Sequence, residues 1–166
     1  MTRVGCFPGT FDPLTVAHVA VAEAARRAAG LDRVELVLSE VTLGKEHLGD
    51  GDAHRRAEAA RAVVADRRWL AVVVSPHRLV ADLAQGYDAV VMGADKWRQV
   101  IDPAWYGDDP AARDAAVARL PRVLVAPRAD DRPEGVELLD VHPDHLHVRA
   151  SAIRDGEPGA QGWVAT

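Results

Sequence analysis

Thr15 and His18 stand three residues apart, just after two pairs of chain breakers, Pro8-Gly9 and Asp12-Pro13. Before them Val4 to Phe7 is a short β-prone run, and Thr15 is a good N-cap for a helix running to about Ala29. Strand, turn and helix start together make an anion site. The first backbone N–H groups of such a helix have no internal partner and carry the positive end of its dipole, so a phosphate is attracted there. Residues three apart share one side of the opening turn, where the Thr15 hydroxyl and the His18 imidazole could both reach phosphate oxygens. A nucleotide is the natural guest.

The elements that must position this turn alternate along the chain. The first helix is rich in Ala and closes at Gly30, and Arg33 to Leu38 follows as a mostly apolar strand. Ser39 to Asp52 has neither periodicity. It holds Lys45 and His47 just past the carboxyl end of that strand, where ligands of open α/β sheets bind, and this position makes Lys45 a candidate for a second phosphate. Asp52 is expected to cap a helix from Ala53 to Asp66, before a strand over Trp69 to Val74. Ser75 with Pro76 reads as the opening of another helix, ended by Gly86. Further strands are expected at Ala89 to Met92 and Arg122 to Ala126, with a short helix from Asp109-Pro110 between them and an edge strand at Val136 to Val141. The expected fold is α/β: a Rossmann-like, doubly wound parallel sheet of about five strands with helices on both faces.

The chain has 166 residues, fits one domain (1–166), and is nearly half apolar. A net charge of −5 and a pI near 5.8 argue against nucleic acid as the main partner, so local basic groups must handle phosphates. Cys6 is the only cysteine, which excludes an internal disulfide, and its apolar strand suggests a core residue. No apolar run approaches the roughly 20 residues needed to cross a bilayer, and the chain enters a strand directly after Arg3, so a soluble cytoplasmic protein is expected. The histidines at 142, 145 and 147 have spacings that fit no structural zinc pattern; a solvated connector is expected there and no metal site.

The run from Gly9 to His18 resembles the signature G-T/S-F-D-P-x-H/T-x-G-H of the nucleotidyltransferase (cytidylyltransferase-like) superfamily. Ala17 stands where that family usually has Gly, and Thr15 is similar to the variant used by phosphopantetheine adenylyltransferases. Arg56-Ala57-Glu58 resembles the family's R-x-E segment. Gly93-Ala94-Asp95 and then Trp105-Tyr106 resemble the G-x-D and W-Y segments of nicotinate or nicotinamide mononucleotide adenylyltransferases. Near the end, Val148 to Arg154 resembles the second signature, I-S-S-T-x-I-R, with Ile153 and Arg154 as strict matches and Ser151 in the Thr position. The S-Y-T segment that mononucleotide enzymes usually carry before G-x-D is missing from Ser75 to Asp88.

The resemblance implies transfer of AMP from ATP to a phosphorylated acceptor with release of pyrophosphate and no covalent enzyme intermediate. By the same resemblance Thr15, His18 and Arg154 carry the chemistry, His18 steadying the α-phosphate. The nucleotide is held by Gly9, Thr10, Phe11, Gly93, Asp95, Ser151 and Arg154, with Ser151 capping a short helix. Lys45, Trp105 and Arg128 face the acceptor, a pyridine mononucleotide first and phosphopantetheine second. Mg²⁺ is expected to arrive on ATP, with no protein cage of its own. Relatives form dimers to hexamers, so a homo-oligomer is open. CTP in place of ATP, and a non-catalytic nucleotide-binding module suggested by Ala17 and the altered Arg149-Ala150-Ser151, are the competing readings.

Overall fold

A computed structural model describes residues 1–41 and 50–166. Its strands are β1 (Val4–Pro8), β2 (Arg33–Ser39), β3 (Leu70–Ser75), β4 (Ala89–Gly93), β5 (Arg122–Ala126) and β6 (Glu137–Leu138). All pair in parallel, in the order β3-β2-β1-β4-β5-β6. The helices are α1 (Val16–Ala29), α2 (Asp50–Val64), α3 (Val80–Leu83), α4 (Ala94–Ile101), α5 (Pro110–Ala118) and α6 (Ala150–Arg154), with 3₁₀ turns at Pro103–Tyr106, Pro143–His145 and Ala160–Trp163. No helix among the described residues is long and apolar enough to cross a membrane.

Alternation along the strands sends side chains to two cores. Val34, Leu36 and Leu38 of β2, with Ala89 and Val91 of β4, meet the Ala-rich faces of α1 and α2. Val37, Val90, Met92 and Val125 point the other way, to Leu83 of α3, Val100 of α4 and Val117 of α5. Strands covered on both faces must be apolar at nearly every position, which is why these runs read as continuous rather than alternating. Burying each such side chain stabilises the fold by about 1.5–3 kcal/mol before chain entropy is counted. Cys6 lies in the second core with its Sγ near the Leu83 carbonyl, and burial pushes its thiol well above the ordinary cysteine range, so it is an inert packing residue.

Several boundaries differ from the expectation. The helix expected at Pro76 begins only at Val80. Ser75 is the last residue of β3, its hydroxyl accepts from the His77 N–H (3.3 Å), and Ser39 donates to the His77 carbonyl, so 76–79 is tied down as a connector. Asp52 lies inside α2 rather than at its cap. The edge strand shortens to Glu137–Leu138 and Val141 leaves the sheet. Asp109 caps α5 as expected, its carboxylate accepting from the Ala111 N–H at 2.9 Å.

Strand order reverses between β1 and β4. At that switch the connections leave to opposite sides, opening a crevice beyond the carboxyl ends of the strands.

Candidate active site

The crevice is a cavity of about 630 Å³, within the range of small-ligand sites. Its floor is the end of β1, with Gly9, Thr10 and Phe11 continuing from it, and Gly93 at the end of β4. Thr15 and His18 at the start of α1 form one wall. Ser151 and Arg154 of α6, far away in sequence, form another. Asp95, Trp105 and Arg128 also line it, so every site residue expected from sequence that falls in the described part of the chain lies on this one cavity. Lys45 and His47 lie outside the described residues.

The turn at the floor is held in an uncommon shape. Phe11 has φ +46°, the left-handed region that L-residues with bulky side chains avoid at a cost of about 1–2 kcal/mol. Its ring packs edge-on against Phe7, with centroids 5.4 Å apart, and against the His18 imidazole at 5.0 Å. Gly9 lies on that ring; a Cβ there would come within 2.8 Å of it, so packing favours glycine at this position. Arg154 donates to the Asp12 carbonyl, which ties α6 to the turn. Leu14 and Thr15 are held by the tail, where the Ala165 N–H donates to the Leu14 carbonyl and Val164 bridges Thr15.

Thr15 and His18 form a reciprocal cap on α1. The Thr15 hydroxyl accepts from the His18 N–H (3.2 Å), and His18 Nδ1 accepts from the Thr15 N–H (3.0 Å). A backbone N–H can only donate, so Nδ1 must hold its lone pair toward Thr15 and the neutral ring carries its hydrogen on Nε2. Capping and the phosphate role expected of this histidine are compatible. They use different nitrogens, and the cap sets the tautomer in which Nε2 is a donor. Thr15 is buried, so Thr15→Val keeps its volume and removes the hydroxyl; melting should fall by about 2–4 °C, matching a lost cap of about 1 kcal/mol. A differential scan of wild type and variant checks this.

Basic groups concentrate here although the chain is acidic. Arg78, Lys96, Arg128, Arg149 and Arg154 line the cavity, against the single carboxylate of Asp95 among the described lining residues. Arg128 faces that carboxylate at 3.3 Å and donates to the Val148 carbonyl at 3.1 Å, so it bridges the start of α4 to the segment before α6. Trp105 is partly exposed at the cavity, whereas Trp97 packs against the second core. Ser151 does not cap α6: Arg149 is the N-cap, with no side-chain cap bond, and Ser151 sits one residue inside the first turn, exposed. The helix takes this register because it buries Ala152 and Ile153 against Ala160.

Arg78 and Lys96 were not singled out in the sequence, since a lone cation after a strand has no local signature. The 142–147 segment is more than a solvated connector: His142 caps the 3₁₀ turn there, and His145 and Leu146 reach the cavity wall. Among the described residues no group of three or more His, Cys, Asp or Glu is arranged to hold a metal.

A family model described as cytidylyltransferase-like matches residues 6–155. Among curated relatives, a probable nicotinate-nucleotide adenylyltransferase of Bordetella pertussis is 28% identical over 93% of this chain and 85% of its own length. One of the same name from Ruegeria pomeroyi is 34% identical over 70% of this chain and 66% of its own. A phosphopantetheine adenylyltransferase of Latilactobacillus sakei is 34% identical over 52% of this chain and 50% of its own.

Proposed function

We propose, from the premise that the chain belongs to the cytidylyltransferase-like family of nucleotidyltransferases, that it transfers AMP from ATP to a phosphorylated acceptor, with a nicotinate or nicotinamide mononucleotide favoured. The observation that carries this is the convergence of Thr10, Thr15 and His18 from one end of the chain with Ser151 and Arg154 from the other on one basic cavity. The reading treats residues 1–166 as one nucleotidyltransferase domain.

An acceptor phosphate oxygen attacks the α-phosphorus; the new P–O bond forms as the bond to the β-phosphate bridging oxygen breaks, and pyrophosphate leaves with the electron pair. Nothing in this step needs an enzyme nucleophile. The work is alignment, for which effective molarities correspond to about 7–11 kcal/mol of barrier, and donation to oxygens that gain charge. His18 donates from Nε2 to a non-bridging oxygen of the α-phosphate, while Arg154 and Ser151 hold the β and γ groups. Arg154 uses the same planar fork that meets the Asp12 carbonyl, so one side chain can tie the turn and the leaving group together. Mg²⁺, delivered on the triphosphate, would supply further charge neutralisation. The lining fits that mode, because its Asp95 carboxylate is already engaged by Arg128 and the ion would keep phosphate and water ligands.

Phosphopantetheine is the second acceptor reading. It is favoured by Thr15 in the cap and by the single-turn α3 in the place of the longer segment with S-Y-T. Pyrophosphate release with ATP and Mg²⁺ is measured across nicotinate mononucleotide, nicotinamide mononucleotide and phosphopantetheine. Release with a pyridine mononucleotide and not with phosphopantetheine supports the first reading, the reverse supports the second, and silence throughout despite ATP binding refutes both transfers.

A further inference from the structure

Arg56 lies on α2, apart from the cavity lining, yet it reaches the turn on the cavity floor. Its Nε donates to the Asp52 carbonyl of its own helix (3.1 Å) and its Nη1 donates to the Thr10 carbonyl, 46 positions away in the chain. The guanidinium is partly buried, which works against its charge, and the Asp12 carboxylate nearby supports it. A planar fork can make both bonds at once, whereas a lysine ammonium on one flexible stem cannot hold the same two oxygens with fixed geometry.

In a trans peptide the C=O and the following N–H point in opposite directions. Fixing the Thr10 carbonyl on Arg56 therefore fixes the Phe11 N–H pointing away from α2. Phe11 borders the cavity and sits in a backbone conformation it would not choose alone, so this peptide plane needs an external constraint. Arg154 of α6 supplies one at Asp12, two residues on. We infer that Arg56 is a positioning residue, which orients the Thr10–Phe11 peptide so that the Phe11 N–H is presented to a phosphate oxygen of the bound nucleotide. This rests on the nucleotide reading of the cavity but not on which acceptor is used or whether transfer follows.

The chain has two phenylalanines, so ¹⁵N-Phe labelling gives two backbone amide signals, with the Phe7 signal reporting that β1 stays folded in each variant. ATP with Mg²⁺ is titrated into wild type, Arg56→Met and Arg56→Lys, with calorimetry on the same samples, each held well below its melting temperature so that every sample is folded. In wild type the Phe11 signal should move at saturation. Arg56→Met should bind ATP about tenfold or more weakly and lose most of that movement, because a hydrogen bond to a charged partner is gone and the peptide is released. Arg56→Lys should recover part of both. Wild-type affinity and an unchanged Phe11 shift in Arg56→Met overturn the inference, as does a saturated wild type whose Phe11 signal stays still. A wild type that binds ATP and shifts Phe11 but releases no pyrophosphate refutes the transfer reading and leaves this one supported; a wild type that binds no ATP overturns both.

Discussion

His18→Ala is expected to lower kcat for pyrophosphate release by about 10²–10³, the loss of about 3–4 kcal/mol that follows removal of one donor aimed at developing charge. The same substitution removes the Nδ1 half of the cap on α1 and an aromatic partner of Phe11, which complicates its reading. His18→Asn separates the two roles. Its short amide oxygen can accept from the Thr15 N–H in place of Nδ1, but it offers nothing at the position of Nε2. Both variants should therefore lose the same large factor in kcat, while His18→Asn melts closer to wild type than His18→Ala. The loss should fall on kcat more than on the KM for ATP, because the donation strengthens as the α-phosphate becomes five-coordinate. Steady-state kinetics with both substrates varied decides it. If His18→Ala keeps kcat within about threefold, the imidazole is a cap and nothing more.

Phe11 should give the largest effect on stability, with an unusual ordering of variants. Its ring is buried between Phe7 and His18, so Phe11→Ala is expected to cost about 3–5 kcal/mol in lost contacts and residual cavity. At most sites Gly in place of Ala costs a further 0.5–1 kcal/mol or so, because it frees the unfolded chain. Here φ is +46°, and the left-handed region costs an Ala about 1–2 kcal/mol that a Gly does not incur. Strain relief outweighs chain entropy, and Phe11→Gly should be more stable than Phe11→Ala by up to about 1.5 kcal/mol. Urea midpoints at equal m-values measure this directly. The opposite order would mean that Phe11 does not hold the left-handed conformation. Both variants should also lose transfer activity, since the ring that seats the imidazole is gone.

The order of elements was legible because apolar runs, caps and breakers act within a few residues. Gly30 ends α1 with φ +60°, Asp109 caps α5, and β5 spans the residues its apolar run indicates. What failed was also local in appearance. Ser75-Pro76 looks like a helix start, yet the Ser39 hydroxyl from the neighbouring strand claims the His77 carbonyl and delays the helix to Val80. Ser151 looks like a cap, yet burial of Ala152 and Ile153 sets the register of α6 two residues earlier. Asp52 likewise fell inside α2. At Ser75-Pro76 a partner distant in sequence outweighed a preference worth about 1 kcal/mol.

By itself the sequence determined the chemistry on offer: a hydroxyl and an imidazole at a helix start after a glycine turn, with a second basic signature near the end. It also determined the strand and helix alternation that forces a doubly wound sheet. Only the tertiary structure decided that Arg78 and Lys96 join the two signatures in one cavity, that Arg128 is occupied with Asp95, and that Arg56 reaches across to the Thr10 carbonyl. The reason is one of range. Periodicity and capping depend on neighbours along the chain, whereas a guanidinium meeting a carbonyl 46 or 142 positions away depends on the order in which strands pair, and no local spacing records that.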